Sequence, residues 1–207
     1  MEQKNVIILF IGSLFCMLLS SSIGATFFWY NSETTEPSAT KTNSSATTRV
    51  QPGDIIALQS DTGKYLARCE ACIPGAPVAN SAFIHVVSPS EGPWAKWTVV
   101  DAGGGKIALK SDIGTYLARC NKCIPNAHLE DTAFVHATSP SVDYAKWTVE
   151  DAGDDKVGLK SDIGKYLARC RTCIPTNLAS GLDDSAFIHV QSLSEGPWAK
   201  WTVVKLN

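Results

Sequence analysis

An all-β head behind an apolar N-terminal segment is the fold class this sequence predicts, on three observations. One unit of about 50 residues occurs three times: IALQSDTGKYLARCEACIP begins at Ile56, IALKSDIGTYLARCNKCIP at Ile107 and VGLKSDIGKYLARCRTCIP at Val157. Inside each unit, short alternating runs rich in β-branched and aromatic side chains are separated by Asp/Gly turn signals. Ahead of the repeats, residues 6–30 carry no charge. The 207 residues are 44% hydrophobic and 18% charged, too apolar and too sparsely charged for a disordered chain. Eighteen basic side chains against twenty acidic ones leave a net charge of −2. That balance argues against a nucleic-acid or polyanion binder, though not against a local basic patch.

Residues 1–30 form the first element. Val6–Tyr30 is an uncharged run of 25 residues, about 37 Å long as a helix against a ~30 Å hydrocarbon core. It is read as a single-pass signal anchor, with Phe27, Phe28, Trp29 and Tyr30 as an interfacial aromatic belt. The competing reading is a cleaved signal peptide with an apolar region Val6–Leu19 and a cut after Gly24 or Ala25. Lys4 and the amino terminus flank one side, Glu33 and Glu36 the other. The expected topology is therefore membrane-bound with the C-terminal domain outside the cytosol, or secretion if the segment is cut. Residues 31–53 are rich in Ser and Thr and nearly lack large apolar side chains, so they read as a disordered stalk. Asn43-Ser44-Ser45 is an N-glycosylation sequon, which makes Asn43 a candidate modification site.

The repeats follow at 54–103, 104–153 and 154–207. Each reads as four short strands, which in the second copy are about 106–110, 115–119, 133–137 and 145–149. Ser-Asp-x-Gly joins the first two strands. Asp61, Asp112 and Asp162 are expected to bond local amides there, while Gly63, Gly114 and Gly164 take the positive-φ position. Three such units must close on one another, because an open sheet leaves an unburied face. A propeller needs at least four blades. Three copies suit a threefold barrel capped by hairpins, a single β-trefoil.

The pattern Lys-[Ile/Val]-Ala-Leu-Lys-Ser-x-x-Gly-x-Tyr-Leu-Ala, carried by Lys106–Ser111 and Gly114–Ala118 with a later strand at Ala145–Val149, resembles the fascin/hisactophilin-type trefoils of the actin-crosslinking superfamily. The likeness covers residues 54–207 and implies actin as a partner if the domain faces the cytosol. The Gln-x-Trp signature of ricin-type lectins is missing, since Lys96, Lys146 and Lys200 precede the tryptophans at that place.

Every copy adds Cys-x-x-Cys-Ile-Pro, which departs from the fascin pattern: Cys69/Cys72, Cys120/Cys123 and Cys170/Cys173. Export favours a local disulfide in each. Zinc is the second reading, with His85, His136 and His189 as third ligands, one short of a closed tetrahedral site. A thioredoxin-like redox site is the third, and lacks the helix N-terminus it needs. The histidines also read as structural residues on the strand face of Phe83, Phe134 and Phe187. Trp94, Tyr144 and Trp198 precede the fourth strand and are candidate ligand-binding residues that could stack on sugar rings; their alternative is core packing. The loops GAPVANS, NAHLEDT and TNLASGLDDS after the cysteine pairs differ most, where specificity is expected.

No nucleophile–base–acid set, phosphate loop or paired-carboxylate cleft stands out. Triplication points to multivalent binding and not to turnover, so a non-enzyme without cofactor is expected. Its expected partners are the membrane through residues 6–30 and a glycan or surface protein, without nucleic acid. The alternatives are an actin-binding or bundling protein and a structural surface coat.

Overall fold

The computed structural model describes residues 49–175, 177–178 and 181–207. The predicted anchor, nearly all of the stalk and the Asn43 sequon lie outside the described residues. Twelve strands run in order: β1 Ile55–Gln59, β2 Tyr65–Glu70, β3 Asn80–Val86, β4 Trp97–Gly103, β5 Lys106–Lys110, β6 Tyr116–Asn121, β7 Asp131–Ala137, β8 Thr148–Asp151, β9 Lys156–Lys160, β10 Tyr166–Arg171, β11 Asp184–Val190 and β12 Trp201–Lys205. Each repeat supplies four, with Ser-Asp-x-Gly turning the first onto the second. The Gly63 amide donates to the Ser60 carbonyl, and Gly63, Gly114 and Gly164 sit at φ +81°, +86° and +77°. Glycine is required there because a Cβ is disfavoured at such φ.

Six strands close a ring: β1 pairs with β4 and β12, β4 with β5, and β9 with β8 and β12. A bridge from Ile107 to Trp147 joins β5 to β8. The other six form the hairpins β2–β3, β6–β7 and β10–β11. The second strands of these hairpins meet in a triangle through Ser81–Phe134, Thr132–Phe187 and Ser185–Phe83. A six-stranded barrel under a triangular hairpin cap is a β-trefoil. Closure leaves the barrel without a free edge.

The expected boundaries of three strands shift in the second repeat. β6 and β7 each extend two residues toward their shared loop, because the hairpin ladder continues through Asn121–Asp131. The fourth strand starts at Thr148, because Asp143–Ala145 is a 3-10 turn whose end is fixed by the Lys146 amide donating to the Asp143 carbonyl. The other repeats have the same turn at Pro93–Ala95 and Pro197–Ala199. Proline suits this first position because its missing N–H has no partner to lose.

Two apolar layers fill the head. Trp97, Trp147 and Trp201 are fully buried in the barrel with Leu58, Leu109 and Leu159. A buried indole N–H must be paired: each of the three donates to a hairpin carbonyl, at Leu66 (3.1 Å), Leu117 (3.2 Å) and Leu167 (3.0 Å). The start of a barrel strand is thereby tied to the cap above it. The second layer, inside the cap, stacks Phe83, Phe134 and Phe187 against Ile73, Ile124, Ile174 and the cysteines. β1 ends beside the cap, where Gln59 pairs with Tyr65, so its start lies at the opposite, open end of the barrel. Val50 is buried in the barrel core there, and Arg49 pairs with Asp151 and Asp155.

Candidate functional site

The strand Leu-Ala-Arg-Cys alternates its side chains. Leu66 points into the barrel core, and Arg68, two residues on, shares that face of the strand and is largely covered at 11% exposure, while Ala67 and Cys69 take the other face. Arg68 donates through Nε and Nη2 to both carboxylate oxygens of Asp112 (2.8 and 2.9 Å). Arg119 does the same to Asp162 (2.8 and 2.7 Å) and Arg169 to Asp61 (2.7 and 2.7 Å). Every repeat thus grips the hairpin turn of the next, and the third grips the first: a closed ring of bidentate pairs. The remaining Nη1 donates within the repeat, to Asn80, Asp131 or Asp184. The arginines hold Asp61, Asp112 and Asp162 below the usual carboxylate range. Local amides also bond these aspartates, but the main partner is an arginine from the neighbouring repeat. Turn chemistry alone is therefore an incomplete account of them.

Beyond each arginine the chain turns sharply. Cys69–Cys72, Cys120–Cys123 and Cys170–Cys173 are disulfides, each with Cα atoms 5.7 Å apart. So short a loop needs a left-handed residue, supplied by Ala71, Lys122 and Thr172 at φ +55° to +56°. The bridge then delivers Ile73, Ile124 or Ile174 into the cap core. Among the described residues no group of three or more His, Cys, Asp or Glu could hold a metal ion.

On the second strand of each hairpin, three residues beyond the alanine opposite the arginine, stands the histidine. His85, His136 and His189 are partly buried, and Nδ1 of each is buried with no hydrogen-bond partner among the described residues. Burial pushes all three below the ordinary imidazole value, so they are neutral at pH 7.

The third component is the aromatic of the 3-10 turn. Trp94 and Trp198 lie flat over Gly92 and Gly196, where an added Cβ would come within 2.2 Å of the ring. These glycines are extended, so space and not backbone angle demands them. The second repeat is one residue shorter here and has no such glycine. Tyr144 instead stacks on His136, with ring centroids 5.7 Å apart and planes 6° from parallel, and stays 39% exposed.

These residues line shallow depressions on the flank of the cap. One, of about 320 Å³, is formed by Arg68, Cys69, Glu70, His85 and Trp94. The second, of about 250 Å³, is formed by Arg119, Cys120, Asn121, His136 and Tyr144. The third repeat has the same order of residue types at Arg169, Cys170, Arg171, His189 and Trp198. The structure therefore brings the predicted aromatic and histidine together in the first two repeats, with the first cysteine of the pair at the edge. Sequence reasoning missed the arginines. The available signal was an arginine in every Leu-Ala-Arg-Cys strand, with one turn aspartate per repeat to match it.

No protein-family model and no curated protein matches the chain. Solved structures match it in fold. A Caenorhabditis elegans protein of unknown function is similar at a TM-score of 0.56 and 18% identity, over 75% of this chain and 95% of that one. The S. cerevisiae protein O-mannosyltransferase complex bound to the sugar donor is similar at 0.56 and 15%, over 74% of this chain and 25% of that one. The Haemophilus ducreyi cytolethal distending toxin follows at 0.51 and 11%, over 74% and 84%. At these identities the likeness is one of fold: the head is a β-trefoil.

Proposed function

We propose that the chain is a non-catalytic recognition module whose β-trefoil head binds glycans through three related sites, on an exported protein that is membrane-anchored or secreted. The observation that carries this reading is the pairing, beside the same arginine and cysteine, of an aromatic ring with a neutral histidine in the first two repeats, and the same residue types in the third. An aromatic face stacks on the C–H face of a sugar, and an imidazole nitrogen can take or give a hydroxyl hydrogen bond. A shallow, partly apolar depression suits one or two sugar rings, and three copies on one rigid head give avidity from weak single sites. Within the trefoils we read the repeat pattern as fascin- or hisactophilin-like.

The test is a glycan array probed with the full-length chain and with a Trp94→Ala/Tyr144→Ala/Trp198→Ala variant. The expected result is a defined class of bound glycans, with binding lost in the variant. Binding to no glycan, together with co-sedimentation with actin filaments, would overturn the reading in favour of the actin partner that the repeat pattern implies.

A further inference from the structure

The three junctions between repeats are not chemically alike. Where the third repeat meets the first, a cleft of about 410 Å³ is lined by Lys64 and His85 from one side and by Arg169, Arg171, Asp183 and Asp184 from the other. Arg169 is already spent, on Asp61 and Asp184. Lys64 and Arg171 are exposed, and neither side chain makes an ion pair among the described residues. Two free cations thus face one carboxylate without an ion pair, that of Asp183.

Repeat register shows what is special here. The position of Arg171 is Glu70 in the first repeat and Asn121 in the second; that of Lys64 is Thr115 in the second and Lys165 in the third. The junction from first to second repeat therefore combines Glu70 with Thr115, and that from second to third combines Asn121 with Lys165. The junction from third to first, alone of the three, combines two cations. The third repeat's loop after its cysteine pair is also three residues longer. Gly181 and Leu182 from that loop line the cleft, and Leu182 packs on the cap core. His85 lines both this cleft and the Trp94 depression.

We propose that this junction is an anion subsite for an acidic glycan, a sugar bearing a carboxylate or sulfate group, continuous with the Trp94 site through His85. It rests on the glycan reading above. The ring stacks at Trp94, the anionic substituent reaches Lys64 and Arg171, and Asp183 is left for a hydroxyl. An overall charge of −2 does not oppose this, because the contact is local and screened beyond about 8–10 Å.

The experiment uses the full-length chain on an array of matched neutral, carboxylated and sulfated glycans, beside Arg171→Glu and Lys64→Thr. Both substitutions place a residue that another repeat already carries at that position, so the fold tolerates them. The expected result is about tenfold tighter binding to acidic members than to their neutral counterparts. Lys64→Thr should weaken the preference and leave neutral binding in place, and Arg171→Glu should remove the preference. A preference for either acidic arm supports the subsite and identifies its anion. Equal binding to neutral and acidic members, or a preference that survives both substitutions, overturns the subsite while the glycan reading stands. Binding to nothing overturns both. Acidic binding that survives loss of Trp94 overturns the continuity between the two sites.

Discussion

The ring of Arg–Asp pairs and the aromatic positions of the 3-10 turns flank the same hairpins, yet the first is the same in every repeat and the surroundings of the second are not. All three pairs are bidentate, with all six side chains 11–18% exposed. Around them the aromatic is Trp, Tyr and Trp in turn, and the residue after the first cysteine is Glu70, Asn121 and Arg171. Threefold closure explains the contrast. A pair that locks one repeat to the next is needed at all three junctions, since one open junction weakens the whole barrel. The aromatic positions are free to vary, because closure of the barrel does not rest on them.

Breaking the ring should have the largest effect. Arg119 serves two carboxylates, Asp162 and Asp131. Arg119→Ala takes the cation away from both in largely covered positions, and should lower stability by roughly 3 kcal/mol in chemical denaturation. A loss within experimental error would mean that the repeats are held by apolar packing alone.

Acid should erode the same ring. Asp61, Asp112 and Asp162 titrate below the ordinary carboxylate value when folded, so their contribution is complete at neutral pH and is lost as pH falls through the folded values. The histidines act in the same direction from a higher pH. Their folded values are depressed, so the unfolded chain takes up protons first once pH drops below about 6.5. The melting temperature, followed from pH 8 to pH 3, should decline gently below about 6.5 and steeply below about 4. A profile rising toward acid would contradict both attributions.

The smallest effects should separate the depressions from one another. Gly92→Ala places a Cβ into the Trp94 ring. It should shift the tryptophan fluorescence and cost on the order of 1 kcal/mol. Tyr144→Ala removes an exposed ring stacked only on His136 and should change stability by less than about 0.5 kcal/mol. Equal costs would show that the two kinds of aromatic seat are equivalent.

Much of the head was legible in the sequence because its signals are local. The Ser-Asp-x-Gly turns, the alternation of strand residues and the tryptophans of Ala-Lys-Trp-Thr each depend on neighbours a few positions away. The Arg–Asp ring was not legible, because its partners sit in different repeats and closure alone brings Arg169 to Asp61. The seat of Trp94 was hidden for another reason. Gly92 carries no sequence signal of its own, and only the packed ring shows that it is small to make room. Tyr144 sits differently because its repeat is one residue shorter, a deletion whose consequence depends on where His136 stands.

The most direct test of the division between a shared ring and diversified sites is one paired measurement on the Trp94→Ala/Tyr144→Ala/Trp198→Ala chain: glycan binding and the denaturation midpoint in the same buffer. The predicted result is loss of binding with most of the stability retained, a fall of no more than about 2–3 kcal/mol across the three sites. Retained binding, or collapse of the fold with the ring intact, would contradict it.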